Sequence, residues 1–323
     1  MNRRRIFFTS TIIMLAITIT VAGFAFYSNF TASAFVQGAP DAAQFFPVQT
    51  QAVFGMNIQR FTTSPIYARI MQQHERDIGR NLAEFSSKTG VDPGRDIKYI
   101  LGGAWSSHAK EGVVIAVGTF NRDAILSFMN SKGAPIRADY EGVTILMFPE
   151  AGQLQKGVAF LSDSEIALGT LDGLHSILDV RSGKVAGIAS NATMRDLLGR
   201  VGPTEMFWFA GDASILSKLP MPRVSSLPNL TAIQNVFGTL SCEDVITGKV
   251  NVTAKDPASA QQLADFARGM IALGGLASAQ NPELAQLASC FHITQTANQF
   301  EINIAAPFEL LEKLQENKAG LAK

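Results

Sequence analysis

The sequence predicts an α+β fold: two related, mostly antiparallel sheets with helices on one face of each, each containing the ferredoxin-like order β-α-β-β-α-β. Three observations predict it. Short apolar runs of strand length alternate with stretches whose apolar residues recur every three or four positions. The segments read β-α-β-β-α-β-β-α on both sides of a boundary near Val201, a repeat of pattern rather than of residue identity. The chain is 47% apolar and 17% charged, the balance of a folded body rather than a disordered one.

Residues 1–34 stand apart. Arg3, Arg4 and Arg5 precede an uncharged apolar run from Ile6 to Tyr27. A cationic head before an apolar run orients a chain at a membrane, with the positive end kept in the cytoplasm. The run is long enough for a spanning helix, which needs about 20 residues. Ala32-Ser33-Ala34 is an A-x-A motif that would be cut before Phe35. The expectation is a signal peptide or membrane anchor, the membrane being a partner through this segment. The body is then expected on the non-cytoplasmic side of the cell envelope, held at the inner membrane or free in the periplasm or medium.

Residues 35–45 read as a tether, and the first repeat spans 46–201. Gln51 to Ile58 is an apolar strand. Ser64-Pro65 offers a capping hydroxyl and a proline at the first helical position. Tyr67, Met71, His74, Ile78, Leu82 and Phe85 then mark one helical face, ended by Gly90 and the turn Asp92-Pro93-Gly94. Ile97–Trp105 and Gly112–Phe120 are strands, the second apolar on both faces and so covered on both. Asn121 caps a helix bearing Ile125, Leu126, Phe128 and Met129. Ile136–Asp139 and Val143–Phe148 make a hairpin around Tyr140-Glu141-Gly142, and Gly157–Phe160 pairs with Ile166–Gly169. Helices near Leu171–Val180 and Thr193–Val201 close the half.

The second repeat spans 202–317, with a tail at 318–323. Glu205–Ala210 is its first strand. Pro220, Pro222 and Pro228 interrupt what would be its first helix. Phe237–Glu243 and Ile246–Ala254 are paired strands, and Asp256-Pro257 starts a long helix bearing Leu263, Phe266, Met270 and Leu273. Phe291–Gln295 and Phe300–Ala305 form a hairpin across Ala297-Asn298, before a terminal helix over Pro307–Asn317.

Charge and motif narrow the function classes. Setting Arg3–Arg5 aside leaves 24 of the 27 basic residues against 27 acidic ones, a net of −3. No basic field collects phosphates, so nucleic acid is not expected as a partner. His74, His108, His175 and His292 lack metal-ligand spacing, and no G-x-S-x-G, G-x-G-x-x-G or P-loop motif occurs. Asp163, Glu165 and Asp172 lack a calcium-loop register and read as a solvated hairpin tip. No catalytic, cofactor-binding or metal-binding residue is therefore assigned. Cys242 and Cys290 could form a disulfide in an exported chain, or could be two small buried apolar side chains. Residues 217–230 (SKLPMPRVSSLPNL) are either a plain surface connection or a binding lip presenting Leu219, Met221, Val224 and Leu227.

The stretch Phe46–Tyr67 (FPVQTQAVFGMNIQRFTTSPIY), the turn Asp92-Pro93-Gly94-Arg95-Asp96-Ile97 and the strand running into Thr119-Phe120-Asn121 carry a resemblance. Mainly over residues 46–121, the chain resembles a loose group of exported bacterial proteins known only as a domain of unknown function. The resemblance implies export and a duplicated α/β body, and carries over no site residue. The expected function is a non-enzymatic cell-envelope module, anchored or secreted, that binds a protein partner or an apolar ligand. The alternative is an exported hydrolase or other enzyme whose site is assembled from distant residues.

Overall fold

The computed structural model describes residues 41–74, 79–105, 112–132, 135–148, 156–202, 205–212, 230–276 and 282–321 of the 323. The chain divides into two compact units, with the division after Asp212. Each unit is α+β, and the strands within each pair antiparallel.

In the first unit a short 3-10 turn, Asp41–Phe45, leads to β1 (Ala52–Asn57). Four helices follow: α1 (Ile58–Thr62), α2 (Pro65–His74), α3 (Arg80–Thr89) and α4 (Pro93–Asp96). Then come β2 (Ile97–Ala104), β3 (Gly112–Gly118), α5 (Arg122–Lys132), β4 (Ile136–Tyr140) and β5 (Val143–Phe148). The unit ends with β6 (Lys156–Ser162), β7 (Glu165–Thr170), α6 (Leu171–Arg181), α7 (Ala192–Leu198) and β8 (Phe207–Asp212). Its strands lie in the order β8-β1-β2-β3-β7-β6-β5-β4.

Local chemistry sets these elements. The Ser64 hydroxyl accepts from the Tyr67 amide at 3.2 Å, so α2 starts at the proline that follows it. Asp92 Oδ1 accepts from the Gly94 and Arg95 amides, and Asp96 Oδ2 accepts from the Asp92 amide, which closes the first turn of α4 reciprocally. Asn121, Thr170 and Asn191 cap α5, α6 and α7 through the same kind of bond. Gly90 takes φ +69° to end α3, a backbone position that costs glycine nothing.

The expected ferredoxin-like order is not found. That order places β3 between β1 and β2. Here β1 pairs directly with β2, from Ala52 opposite Ala104 to Asn57 opposite Tyr99. The two glycines of β2 accommodate aromatic rings. A Cβ on Gly102 would lie 2.1 Å from the Phe54 ring, and one on Gly103 would lie 2.5 Å from that of Phe46. Helices also cover both faces of this sheet rather than one. Ile145 and Leu174 meet over Gly157 on the α6 side. Leu146, Phe160 and Ile166 pack with Met129 of α5 on the other side. β5 and β6 are apolar on both faces, so both faces need cover.

The second unit holds β9 (Ile233–Cys242), β10 (Val245–Ala254), α8 (Pro257–Leu276), α9 (Pro282–Ser289), β11 (Phe291–Thr296), β12 (Gln299–Pro307) and α10 (Phe308–Leu321). Its strands lie in the order β11-β12-β10-β9. The strand expected to open a second repeat, β8, pairs instead with β1 of the first unit, with Phe209 opposite Phe54. Among the described residues, eight strands in one unit and four in the other do not make an internal repeat.

The expected membrane helix is also corrected. No helix among the described residues is long and apolar enough to cross a membrane. The signal-peptide or anchor segment, residues 1–34, and most of the tether lie outside the described residues.

Candidate functional site

The alternation of β10 and its neighbours builds one apolar sheet face in the second unit. Ile246, Gly248, Val250 and Val252 of β10 stand opposite Ala306, Ile304, Ile302 and Phe300 of β12. On the other side they stand opposite Cys242, Leu240, Gly238 and Val236 of β9. Phe291 and Ile293 of β11 extend the rows through Ile304 and Ile302. Since strand side chains alternate, the reverse face takes a mainly polar set, with Phe237 of β9 buried opposite Asn251. There Lys249 lies 3.5 Å from Glu301, and Asn303 donates to Glu301 at 2.8 Å.

Three helices lie with this unit. Leu284 and Leu287 of α9 and Leu310 and Leu314 of α10 pack with Ala306, Phe291 and Ile304. Arg268 of α8 is held by Asp265 at 2.6 Å and donates to the Ile293 carbonyl at 3.4 Å. The buried side of α8 is Ala260, Leu263, Ala264 and Ala267. Three of those four carry a single methyl, so they cover little of a neighbouring side chain.

The consequence is an unevenly filled molecule. Among the described residues, the eleven largest side chains that are under 2% exposed, including Leu101, Ile115, Ile145 and Leu174, all belong to the first unit. In the second unit the residues at 0% are alanines: Ala254, Ala260, Ala264 and Ala306. Leu240, Val250, Ile302, Ile304, Phe291 and Ile293, all on the apolar face, stay half-buried. Gly248 lets Ile304 and Leu240 close over it, since an added Cβ would meet them at 2.7 Å and 3.1 Å. None of these six side chains carries a polar atom. Such a surface can hold a ligand through dispersion and release of water, at about 25 cal/mol per Å² of apolar area covered, and can perform no proton or electron chemistry.

The sequence-expected residues fall as follows. Cys242 and Cys290 are both free thiols. Cys242 ends β9 and Cys290 directly precedes β11, and these are the outermost strands of the unit's order. Three strand spacings, about 14 Å, separate them, and a disulfide tolerates about 7 Å between Cα atoms. The expected disulfide is therefore corrected. Burial pushes the Cys242 thiol up to about 12, with the charge of Glu243 adding to it. The binding-lip residues Leu219, Met221, Val224 and Leu227 lie outside the described residues, as does His108. His292 is exposed on β11. No group of three or more His, Cys, Asp or Glu side chains among the described residues could hold a metal ion.

A polar cluster in the first unit escaped the sequence reading. His175 of α6 stacks on Tyr140 at 3.9 Å between ring centroids. The Tyr140 hydroxyl donates to Asp179 at 2.9 Å, and Lys184 pairs with Glu141. The bond to Asp179 holds the Tyr140 hydroxyl above its ordinary pKa, and Lys184 holds Glu141 below its own. Partners 39 and 43 residues apart leave no local signature. With its carboxylates already engaged, the cluster fastens the tip of the β4–β5 hairpin to α6.

No protein-family model matches the chain, and no curated protein matches it. Solved structures similar to it include two of TP0453. One is TP0453 in crystal form I, 14% identical, with a TM-score of 0.49 over 88% of this chain and 98% of that one. The other is TP0453 in crystal form IV, 11% identical, with a TM-score of 0.42 over 83% of this chain and 95% of that one. These comparisons identify no enzyme family.

Proposed function

We propose that this is a non-enzymatic binding protein of the cell envelope that takes an apolar ligand on the sheet face of its second unit. The observation that carries the reading is the set Leu240, Val250, Phe291, Ile293, Ile302 and Ile304. These side chains face the helix-covered side of a sheet yet stay half-buried, whereas among the described residues the large side chains under 2% exposed lie in the first unit. Apolar lining without convergent acids, bases or metal ligands fits carriage rather than turnover. The envelope placement rests on the resemblance of residues 46–121 to exported bacterial proteins and implies no membrane helix.

The test is binding of a pyrene-labelled acyl chain to the purified protein, followed by fluorescence. Saturable binding is expected. A carboxylate placed among the lining residues by Val250→Asp should weaken it by about tenfold or more, because an unpaired charge cannot be desolvated cheaply. Lys249→Gln, on the reverse face, should leave it unchanged. Absence of saturable binding, or equal loss in both variants, would rule the reading out.

A further inference from the structure

We infer that the first unit is built to pair with a second copy of itself, edge to edge, through β4. Among the described residues β4 pairs only with β5, so its outer side is a sheet edge. Such an edge is a template for another strand unless something blocks it. Ile136 on this strand is 51% exposed, the highest value among the described large hydrophobic side chains.

The hairpin turn decides which backbone groups face outward. Tyr140 and Val143 flank the two-residue loop Glu141-Gly142, whose φ values are +50° and +73°. Two positive φ values in a two-residue loop make a type I′ turn, and its flanking pair exchanges both backbone hydrogen bonds. With a period of two, Ile136, Ala138 and Tyr140 turn their N–H and C=O groups toward β5. Arg137 and Asp139 turn theirs away from it, toward the open edge.

An added antiparallel strand must therefore bond to Arg137 and Asp139. For two identical strands related by a two-fold axis, three registers meet that condition within β4. One sets Arg137 opposite Arg137, and another sets Asp139 opposite Asp139. The third centres the axis on Ala138 and sets Arg137 of each copy opposite Asp139 of the other. Only this third register avoids a like-charge pair, and it gains two opposite-charge pairs. On the other face it sets the exposed Ile136 opposite Tyr140 of the second copy. Asp139 accepts the Thr144 hydroxyl at 2.7 Å, which positions the carboxylate without neutralising it. Charges on an edge strand usually discourage pairing. Charges of opposite sign at alternate positions, about a two-fold axis, do the reverse.

A five-residue strand pair covers much less than the roughly 1,200–2,000 Å² of a tight interface. The dimer should be weak, with a dissociation constant on the order of tens of micromolar. Sedimentation equilibrium of the full chain, with circular dichroism to confirm folding, tests it. Arg137→Asp alone and Asp139→Arg alone should each weaken self-association by about tenfold or more. The double variant, Arg137→Asp with Asp139→Arg, should return to within about threefold of the parent, because it exchanges the two charges. The two single variants mixed should form a heterodimer, since one carries two acids and the other two bases. A chain that stays monomeric at several hundred micromolar overturns the inference. So do single variants that associate as the parent does, or a folded double variant that fails to recover.

Discussion

Cys242 sits at the end of β9 with its thiol pushed up to about 12 by burial, whereas Cys290 is half-buried and donates to the Gln286 carbonyl. Only a thiolate attacks, so the two should be told apart by reactivity. At pH 8 an aromatic disulfide reagent should titrate one thiol in the native protein and two in denaturant. Two fast thiols in the native state would contradict the burial. The same shift has a stability sign. A pKa raised on folding contributes stability in full below the ordinary thiol value near 9, and that contribution is lost as pH rises from there toward 12. Cys242→Ala should flatten the fall in stability across that window. Neither thiol's fate was legible from spacing, because spacing does not tell which strands lie between two positions. Gly102 and Gly103 teach the same lesson. The sequence shows that they lack a phosphate-cradle pattern, but the rings that occupy their missing side chains come from elsewhere in the chain, Phe54 from β1 and Phe46 from the segment before it.

Among the helices, α4 offers the cleanest test of local encoding. Asp92 accepts two amides of its first turn and has its own amide taken by Asp96. Asp92→Ala should cost about 1 kcal/mol in urea denaturation, and Asp92→Asn should keep most of that stability. Equal loss in both would place the effect outside the cap. Caps and hairpins of this kind were legible in the sequence: Ser64-Pro65, Asn121, Gly90, Glu141-Gly142 and Ala297-Asn298 all mark boundaries where the structure has them. Strand order was not legible. A strand's sequence specifies which residues share a face, but β10 would satisfy its apolar row beside any strand with a matching one. It lies between β9 and β12, and the ferredoxin-like order fails there as it does at β1 and β2. The candidate site is a product of that order. Leu240, Val250 and Ile302 are apolar in any reading, and only the register sets them side by side.

For the molecule as a whole, the two units should differ in how they come apart. Fully burying a large aliphatic side chain contributes about 1.5–3 kcal/mol, and among the described residues the largest such side chains all belong to the first unit. Calorimetry should show two transitions, with the second unit melting first. Hydrogen exchange should be faster in β9–β12 than in β2, β3 and β7. Addition of the acyl probe should raise the lower transition and leave the upper one in place, because a ligand stabilises only the body that binds it. A single transition, or the reverse order of exchange, would contradict the uneven filling.

The fastening of the hairpin tip sets where the first unit can fray. A two-residue turn at the rim of a sheet is ordinarily a free end, from which an outer strand pair unzips. Here the Tyr140–Asp179 bond and the Lys184–Glu141 pair tie that end to α6. Unzipping is therefore pushed to the far end, where Ile136 stands opposite Met147. A load applied along β4 enters the sheet as shear across the whole strand and passes through Tyr140 into α6. The outermost strand is thus mechanically the end of a strut rather than a loose flap.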